Sequence, residues 1–187
     1  MLPLSFYILA GGQNSRMGKD KGLLPFDNKK TFIEKIIEEI KPLNLPLTII
    51  SENNAYQQYG HTIPDITPKI GPMGGIYTAL ANAKTDYVFM LTCDSPFITT
   101  EMLHTFLNQC DFSSETQAFV TKSNGRIYPI TAIYHKSVLP VLDELIAEKN
   151  YRVRDVLQNV KFQEIEIPEA FILNINNEYE YKKHIQL

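Results

Sequence analysis

The sequence predicts an α/β fold: a three-layer α/β/α sandwich around a mostly parallel sheet, folded as one domain over residues 1–187. Short apolar runs of strand length alternate with helix-spaced segments for most of the chain. Glycine-rich and polar stretches directly follow several of these apolar runs, where the carboxyl ends of parallel strands present ligand loops. A chain of 187 residues that is 44% hydrophobic and 11% aromatic can bury a substantial core, and no repeat or low-complexity linker divides it.

Residues 4–10 are mostly apolar and aromatic and read as a buried strand, and residues 31–40 carry apolar side chains at helical spacing. Residues 47–50 predict a second strand that ends at the polar turn Ser51-Glu52-Asn53-Asn54, a place for ligand contacts. Gly71-Pro72-Met73-Gly74-Gly75 opens a glycine-rich loop with a helix over 76–83 behind it. The most apolar short run, 87–91, predicts a central strand. It must stop at Thr92-Cys93-Asp94-Ser95-Pro96-Phe97, because Pro96 restrains Ser95 and cannot donate a hydrogen bond. A helix over 101–109 follows, capped by Thr99 or Thr100. Strand-like runs on either side of Ser123-Asn124-Gly125 predict a hairpin within 118–134, which breaks strict β-α-β order. Residues 138–147 are helical in pattern, 154–158 add a short helical turn, and 164–167 with 171–174 read as short strands. Tyr179 and Tyr181 are read as covering the sheet edge or packing a terminal helix.

Eighteen basic and 21 acidic residues give a net charge of −3, which offers no bulk attraction for nucleic acid or an anionic membrane. Local cations therefore serve a local anion. Two cysteines, Cys93 and Cys110, in a sequence without a secretory leader predict free thiols in a reducing cytoplasm. No apolar run reaches membrane-span length, and no zinc spacing occurs, so any metal is expected on oxygen ligands.

The most informative stretch is Leu9-Ala10-Gly11-Gly12-Gln13-Asn14-Ser15-Arg16-Met17-Gly18-Lys19-Asp20-Lys21-Gly22. Strand, glycine-rich loop and helix follow in the order a phosphate site requires, and paired glycines let successive N–H groups converge on an anion. The spacings of a P-loop and of a dinucleotide-binding loop are both missing, which argues against a P-loop NTPase and a dinucleotide oxidoreductase. Arg16 and Lys21 add full charges: Arg16 suits charge developing on an α phosphate, and Lys21 a leaving pyrophosphate. Gly11-Gly12 and the cations also read as a tight turn with a solvated rim. Asp94, at the tip of an apolar strand, is a hard oxygen ligand of the kind Mg²⁺ takes beside phosphate oxygens, and it also reads as a turn former before Pro96. Cys93 reads as a packed small residue, and Gly71–Gly75 also reads as an ordinary turn into a helix.

The whole string resembles the signature of nucleotidyltransferases, and most closely that of the molybdenum cofactor guanylyltransferases, the molybdopterin-guanine dinucleotide biosynthesis protein A family. In that family the run is Leu-Ala-Gly-Gly-x-Ser-x-Arg-Met-Gly-x-Asp-Lys-Ala/Gly-Leu-Leu; this chain departs at Asn14. The resemblance extends to Thr92-Cys93-Asp94-Ser95-Pro96-Phe97, to Gly71-Pro72-Met73-Gly74-Gly75, to Arg126-Ile127-Tyr128-Pro129-Ile130 and to Phe171 through Glu178, where Asn177 replaces the usual Thr-Pro. It implies a nucleotide-diphospho-sugar transferase-like, Rossmann-like fold. It further implies GMP transfer from GTP to molybdopterin with release of pyrophosphate, Mg²⁺ on Asp94, and catalytic roles for Arg16, Lys21 and Asp94. Leu9, Ala10, Gly11, Gly12, Lys21, Asn53, Asp65, Gly75 and Asp94 are the expected nucleotide contacts, Asp65 and Gly71–Gly75 lying beside the base. On a strand, Asn174 and Asn176 would share one face. The partners implied are GTP and molybdopterin or molybdenum cofactor, with cofactor-delivery proteins and acceptor molybdoenzymes beside them, and neither nucleic acid nor membrane. Two alternatives stay open: a related transferase using CTP or a sugar or polyol phosphate acceptor, and a nucleotide-binding regulator without turnover.

Overall fold

The computed structural model describes residues 3–11 and 20–185. Among the described residues seven strands form one sheet in the order β3-β2-β1-β4-β6-β5-β7. In chain order they are β1 (Leu4–Leu9), β2 (Leu47–Ile50), β3 (Thr62–Ile63), β4 (Tyr87–Thr92), β5 (Ala118–Ser123), β6 (Arg126–His135) and β7 (Phe162–Glu166). The helices are α1 (Phe32–Ile40), α2 (Pro72–Asn82), α3 (Thr100–Leu107), α4 (Leu139–Ala147), α5 (Val153–Val156) and α6 (Glu178–His184). β1, β2, β3 and β4 pair in parallel, β6 runs antiparallel to both β4 and β5, and β7 returns parallel to β5. The sheet is mostly parallel, and the β5–β6 hairpin is its reversal.

Two-residue alternation along the central strands sorts the core into layers. Leu4, Phe6 and Ile8 of β1 and Phe89 and Leu91 of β4 meet Ile33, Ile36 and Phe106 from α1 and α3 on one face. Tyr7, Val88 and Met90 point to the other face, toward Met73, Ile76 and Leu80 of α2 and Leu142 and Leu145 of α4. Both faces are covered, so β1 and β4 are apolar except for Ser5 and Thr92 rather than alternating with polar residues.

Local chemistry sets the element ends. The Glu34 carboxylate accepts from the Thr31 N–H at 2.7 Å and from its hydroxyl at 2.8 Å, closing the first turn of α1. Thr99 caps α3 by accepting from Met102 N at 3.2 Å. Asn124 and Gly125 have φ of 49° and 72°, the left-handed pair that a tight hairpin between twisted strands requires.

Several expectations change. The segment expected as a strand over 171–174 is a 3-10 turn over Glu169–Ile172, because Phe171 and Ile172 are tucked into the core beyond the last strand with no ladder partner. The edge strand β3 is only two residues long and too short to show a periodicity. The short helix expected at 154–158 is α5, one residue earlier. Tyr181 packs on Phe32 and donates to Pro25 O at 2.7 Å, whereas Tyr179 is 75% exposed and covers nothing.

α2 approaches the sheet very closely at its first turn. A Cβ on Gly74 would lie 2.6 Å from the Thr67 carbonyl oxygen, and one on Gly75 would lie 2.7 Å from Leu9 Cδ1. A backbone carbonyl cannot yield, whereas a leucine methyl can turn aside. Gly74→Ala is therefore expected to destabilise the fold by about 1–3 kcal/mol, and Gly75→Ala by clearly less. Urea unfolding of both variants checks the order, and equal midpoints would refute it.

Candidate functional site

The parallel pairing of β2, β1 and β4 sets their carboxyl ends side by side. Two adjoining cavities of about 440 Å³ and 640 Å³ open there and share Leu9, Gly11, Asp20 and Pro72 on their walls. The smaller is also lined by Lys21, Thr92, Cys93, Asp94, Ile130 and Asn174. The larger extends over Ala10, Ser51, Glu52, Asn53, Asp65 and Lys69.

Asp94 stands just past the end of β4, its side chain 18% exposed. Its Oδ2 accepts from Lys21 Nζ at 3.3 Å, while Oδ1 is buried and meets no donor among the described residues. An unpartnered buried carboxylate oxygen is costly unless a cation or donor completes it. The described residues hold no group of three or more His, Cys, Asp or Glu side chains suited to a metal. This donor set fits a hard divalent ion that takes one carboxylate and draws its other oxygens from substrate phosphates and water.

Lys21 begins a 3-10 turn, Lys21–Leu23, capped by Asp20. Its ammonium donates to Asn176 Oδ1 at 2.7 Å as well as to Asp94. Ser95 Oγ donates to Asn174 Oδ1 at 2.5 Å, and Ile175 N donates to Asp94 O at 2.8 Å. Both asparagine amides thus reach the cleft, but from irregular chain held by side-chain and backbone hydrogen bonds, not from one face of a strand. Burial pushes the Cys93 thiol up to about 12, so at neutral pH it is a packed neutral group and no nucleophile.

The other expected contacts divide. Leu9 and Gly11 line both cavities, and Gly11 has φ +133°, open to glycine and strained for other residues. Ala10 is fully buried and donates its N–H to Ile50 O at 2.9 Å, so it borders the larger cavity while being tied into the sheet. Asp65 Oδ1 accepts from Thr67 N at 2.9 Å and from the Thr67 and Thr78 hydroxyls at 3.3 and 2.7 Å, which pins its loop to α2. No donor among the described residues meets Asp65 Oδ2. Asn53 spends its side chain internally, accepting from Ala55 N at 3.0 Å and donating to Asp20 Oδ2 at 3.1 Å. Gly75 does not line the cleft; it is buried in α2 against Leu9, and its smallness sets how near the helix comes to β1. Gly12 and Arg16 lie outside the described residues.

Sequence reasoning missed Asp20, Glu52 and Tyr56. Asp20 was visible only as one letter of the Asp-Lys-Gly string. Glu52 lay inside the polar turn after β2 and accepts from Asp65 N at 3.1 Å. Tyr56 sits among polar residues, Asn-Asn-Ala-Tyr-Gln-Gln-Tyr, with no periodicity to mark it as buried.

Residues 6–165 match the family model described as the MobA-like NTP transferase domain. A Vibrio vulnificus (strain YJ016) protein described as molybdenum cofactor guanylyltransferase is 34% identical over 190 residues, covering 98% of this chain and 95% of its own length. The crystal structure of molybdopterin-guanine dinucleotide biosynthesis protein A from Archaeoglobus fulgidus has a TM-score of 0.78 at 19% identity, covering 97% of this chain and 96% of that one. A Mycobacterium tuberculosis H37Rv protein, Rv0371c, solved as a manganese complex, has a TM-score of 0.67 at 13% identity, with 97% of each chain covered. At such identities the two structures speak for the fold alone. The family match over most of the chain and the relative above 30% identity settle its membership: it belongs to the MobA-like NTP transferase family and is a nucleotidyltransferase.

Proposed function

We propose that residues 1–187 form one nucleotidyltransferase unit that transfers GMP from GTP to the terminal phosphate of molybdopterin, releasing pyrophosphate and making the guanine dinucleotide. The observation that carries this reading is Asp94, with one oxygen on the Lys21 ammonium and the other buried without a partner among the described residues, in a cavity that adjoins a larger one with room for a nucleoside. The names of relatives such as the Vibrio vulnificus protein support the choice of base and acceptor.

The acceptor phosphate is itself the nucleophile, so the protein needs no nucleophilic side chain and no strong base. Its task is to align and neutralise an in-line displacement. Asp94 would hold Mg²⁺, whose chemistry when bound is to neutralise triphosphate oxygens and template the exchange. Lys21 contributes a point charge to the leaving phosphates, and Arg16 one to the α phosphate. Leu9 and Ala10, whose N–H groups are spent within the sheet, border the wall from which the glycines Gly11 and Gly12 would approach phosphate and ribose oxygens, and Asn53 supports that wall through Asp20. At the far end, Asp65 Oδ2 and the Glu52 carboxylate, joined through the Asp65 N–H, supply acceptors for guanine N1–H and its amino group. Gly75 acts on this reading only by holding α2 against Leu9. No helix among the described residues is long and apolar enough to cross a membrane, in keeping with a cytoplasmic enzyme that meets delivery proteins and acceptor molybdoenzymes.

Pyrophosphate release measured with each of the four NTPs, with and without molybdenum cofactor, tests the proposal. Release requiring both GTP and cofactor is expected, preference for CTP would move the chain to a cytidylyl activity, and nucleotide binding without release from any NTP would leave a non-catalytic binder. Asp94→Asn should abolish divalent-metal-dependent transfer while circular dichroism stays unchanged; a folded variant with near-normal turnover would remove Asp94 from the centre. Lys21→Ala should lower kcat/KM for GTP by about tenfold to a thousandfold, the range for a lost electrostatic donor. Asp65→Ala should cut the preference for GTP over CTP by about one to two orders of magnitude, since each unsatisfied buried group costs roughly 1–3 kcal/mol. It should also weaken GTP binding, because Thr67 and Thr78 lose their acceptor.

A further inference from the structure

Tyr56 is completely buried, and a buried phenol needs a partner. Its hydroxyl donates to Asp20 Oδ1. The same carboxylate accepts from the Gly22 N–H at 3.3 Å and, through Oδ2, from Asn53 Nδ2 at 3.1 Å. Donors from the turn itself, from Asn53 in the polar turn after β2 and from the 3-10 turn over Asn54–Gln58 therefore converge on one side chain.

Lys21 lies between the two residues so fastened. Behind it the turn is pressed to contact: a Cβ on Gly22 would stand 2.4 Å from the Tyr56 hydroxyl oxygen and 3.0 Å from Cys93 Cβ. Gly22 is thus a position where only a hydrogen side chain lets the turn reach Tyr56. Burial raises the Tyr56 pKa, so the phenol remains a donor throughout the neutral range. A lysine ammonium rides on four flexible carbons, and its placement is no better than that of its backbone.

We infer that Tyr56 is a positioning residue: by clasping Asp20 it fixes the backbone of the Lys21 turn, and with it the point at which the ammonium meets the leaving phosphates. This rests on the role proposed above for Lys21. Among the described residues Tyr56 makes no hydrogen bond to Asp94 or Asn176, and its tie to the ammonium runs through Asp20 to Lys21.

A double-mutant cycle of Tyr56→Phe and Lys21→Ala separates this role from ordinary packing, since phenylalanine keeps the ring and removes only the hydroxyl. The readouts are kcat and KM for GMP transfer, the Kd for GTP with Mg²⁺, and the urea midpoint of each variant. With Lys21 present, Tyr56→Phe should lower kcat/KM about tenfold, mostly in kcat. With Lys21→Ala present, it should change kcat/KM less than twofold. An equal loss in both backgrounds, or none with Lys21 present, overturns the inference, because a packing defect acts regardless of Lys21. Should Tyr56→Phe fail to fold, Asp20→Asn in the same cycle decides by the same criterion. If wild-type protein transfers no GMP from GTP, the proposed function fails, and the GTP Kd cycle then rules alone: coupling of the two substitutions in affinity upholds the clasp, and strict additivity overturns it.

Discussion

Everything at the site depends on β1 being paired in parallel on both sides. That pairing brings Gly11, the Ser51–Asn54 turn and Asp94 to one edge of the sheet from three distant stretches of sequence. It also requires both faces of β1 and β4 to be dry, since parallel strands of this kind are covered by helices above and below. The apolar core and the polar cleft are two ends of the same strands: Leu91 is fully buried, and Asp94 three residues later carries a carboxylate into the cavity.

The electrostatics of the cleft follow from where charge is left incomplete. Lys21 and Asp94 are about one-fifth exposed, deep enough for their attraction to exceed that of a surface pair and shallow enough for water or phosphate to compete. Lys21 is shared between Asp94 and the neutral amide of Asn176, an arrangement that an incoming polyanion can displace without stranding the ammonium. Asp94 keeps one buried oxygen that meets no donor among the described residues. Cys93, next to it, contributes shape alone, its thiol held neutral by burial.

The sheet's central strands were legible because each is a short apolar run stopped by glycine, proline or a polar turn, and the hairpin because Asn124-Gly125 leaves little other choice. Gly11, Lys21 and Asp94 were legible by position, after the ends of those runs, and all three line the smaller cavity. What escaped were features decided in three dimensions. Gly75 looked like a loop glycine suited to a ligand and proved to be a spacer between a helix and Leu9, a distinction no local pattern carries. Asn53 looked free to bind and is committed to Asp20. The two-residue spacing of Asn174 and Asn176 would put both on one face of a strand, yet they reach the cleft from a segment with no ladder, held by Ser95 and Lys21. Tyr56 could not be read at all, because its burial comes from the approach of Gly22 and Cys93 across the fold.

The tie between Lys21 and Asn176 spans 155 positions of the chain, and the Ile175 N–H bonds Asp94 O across 81 more. Every strand of the sheet is complete by Glu166. The strands of the scaffold therefore precede its last polar contacts along the chain, and joining such remote segments carries the loop-closure cost that slows folding. During synthesis a nascent chain would carry a finished sheet with an unlatched cleft until residues 174–176 emerged, so that competence for the ligand arrives after the architecture and is timed by the tail.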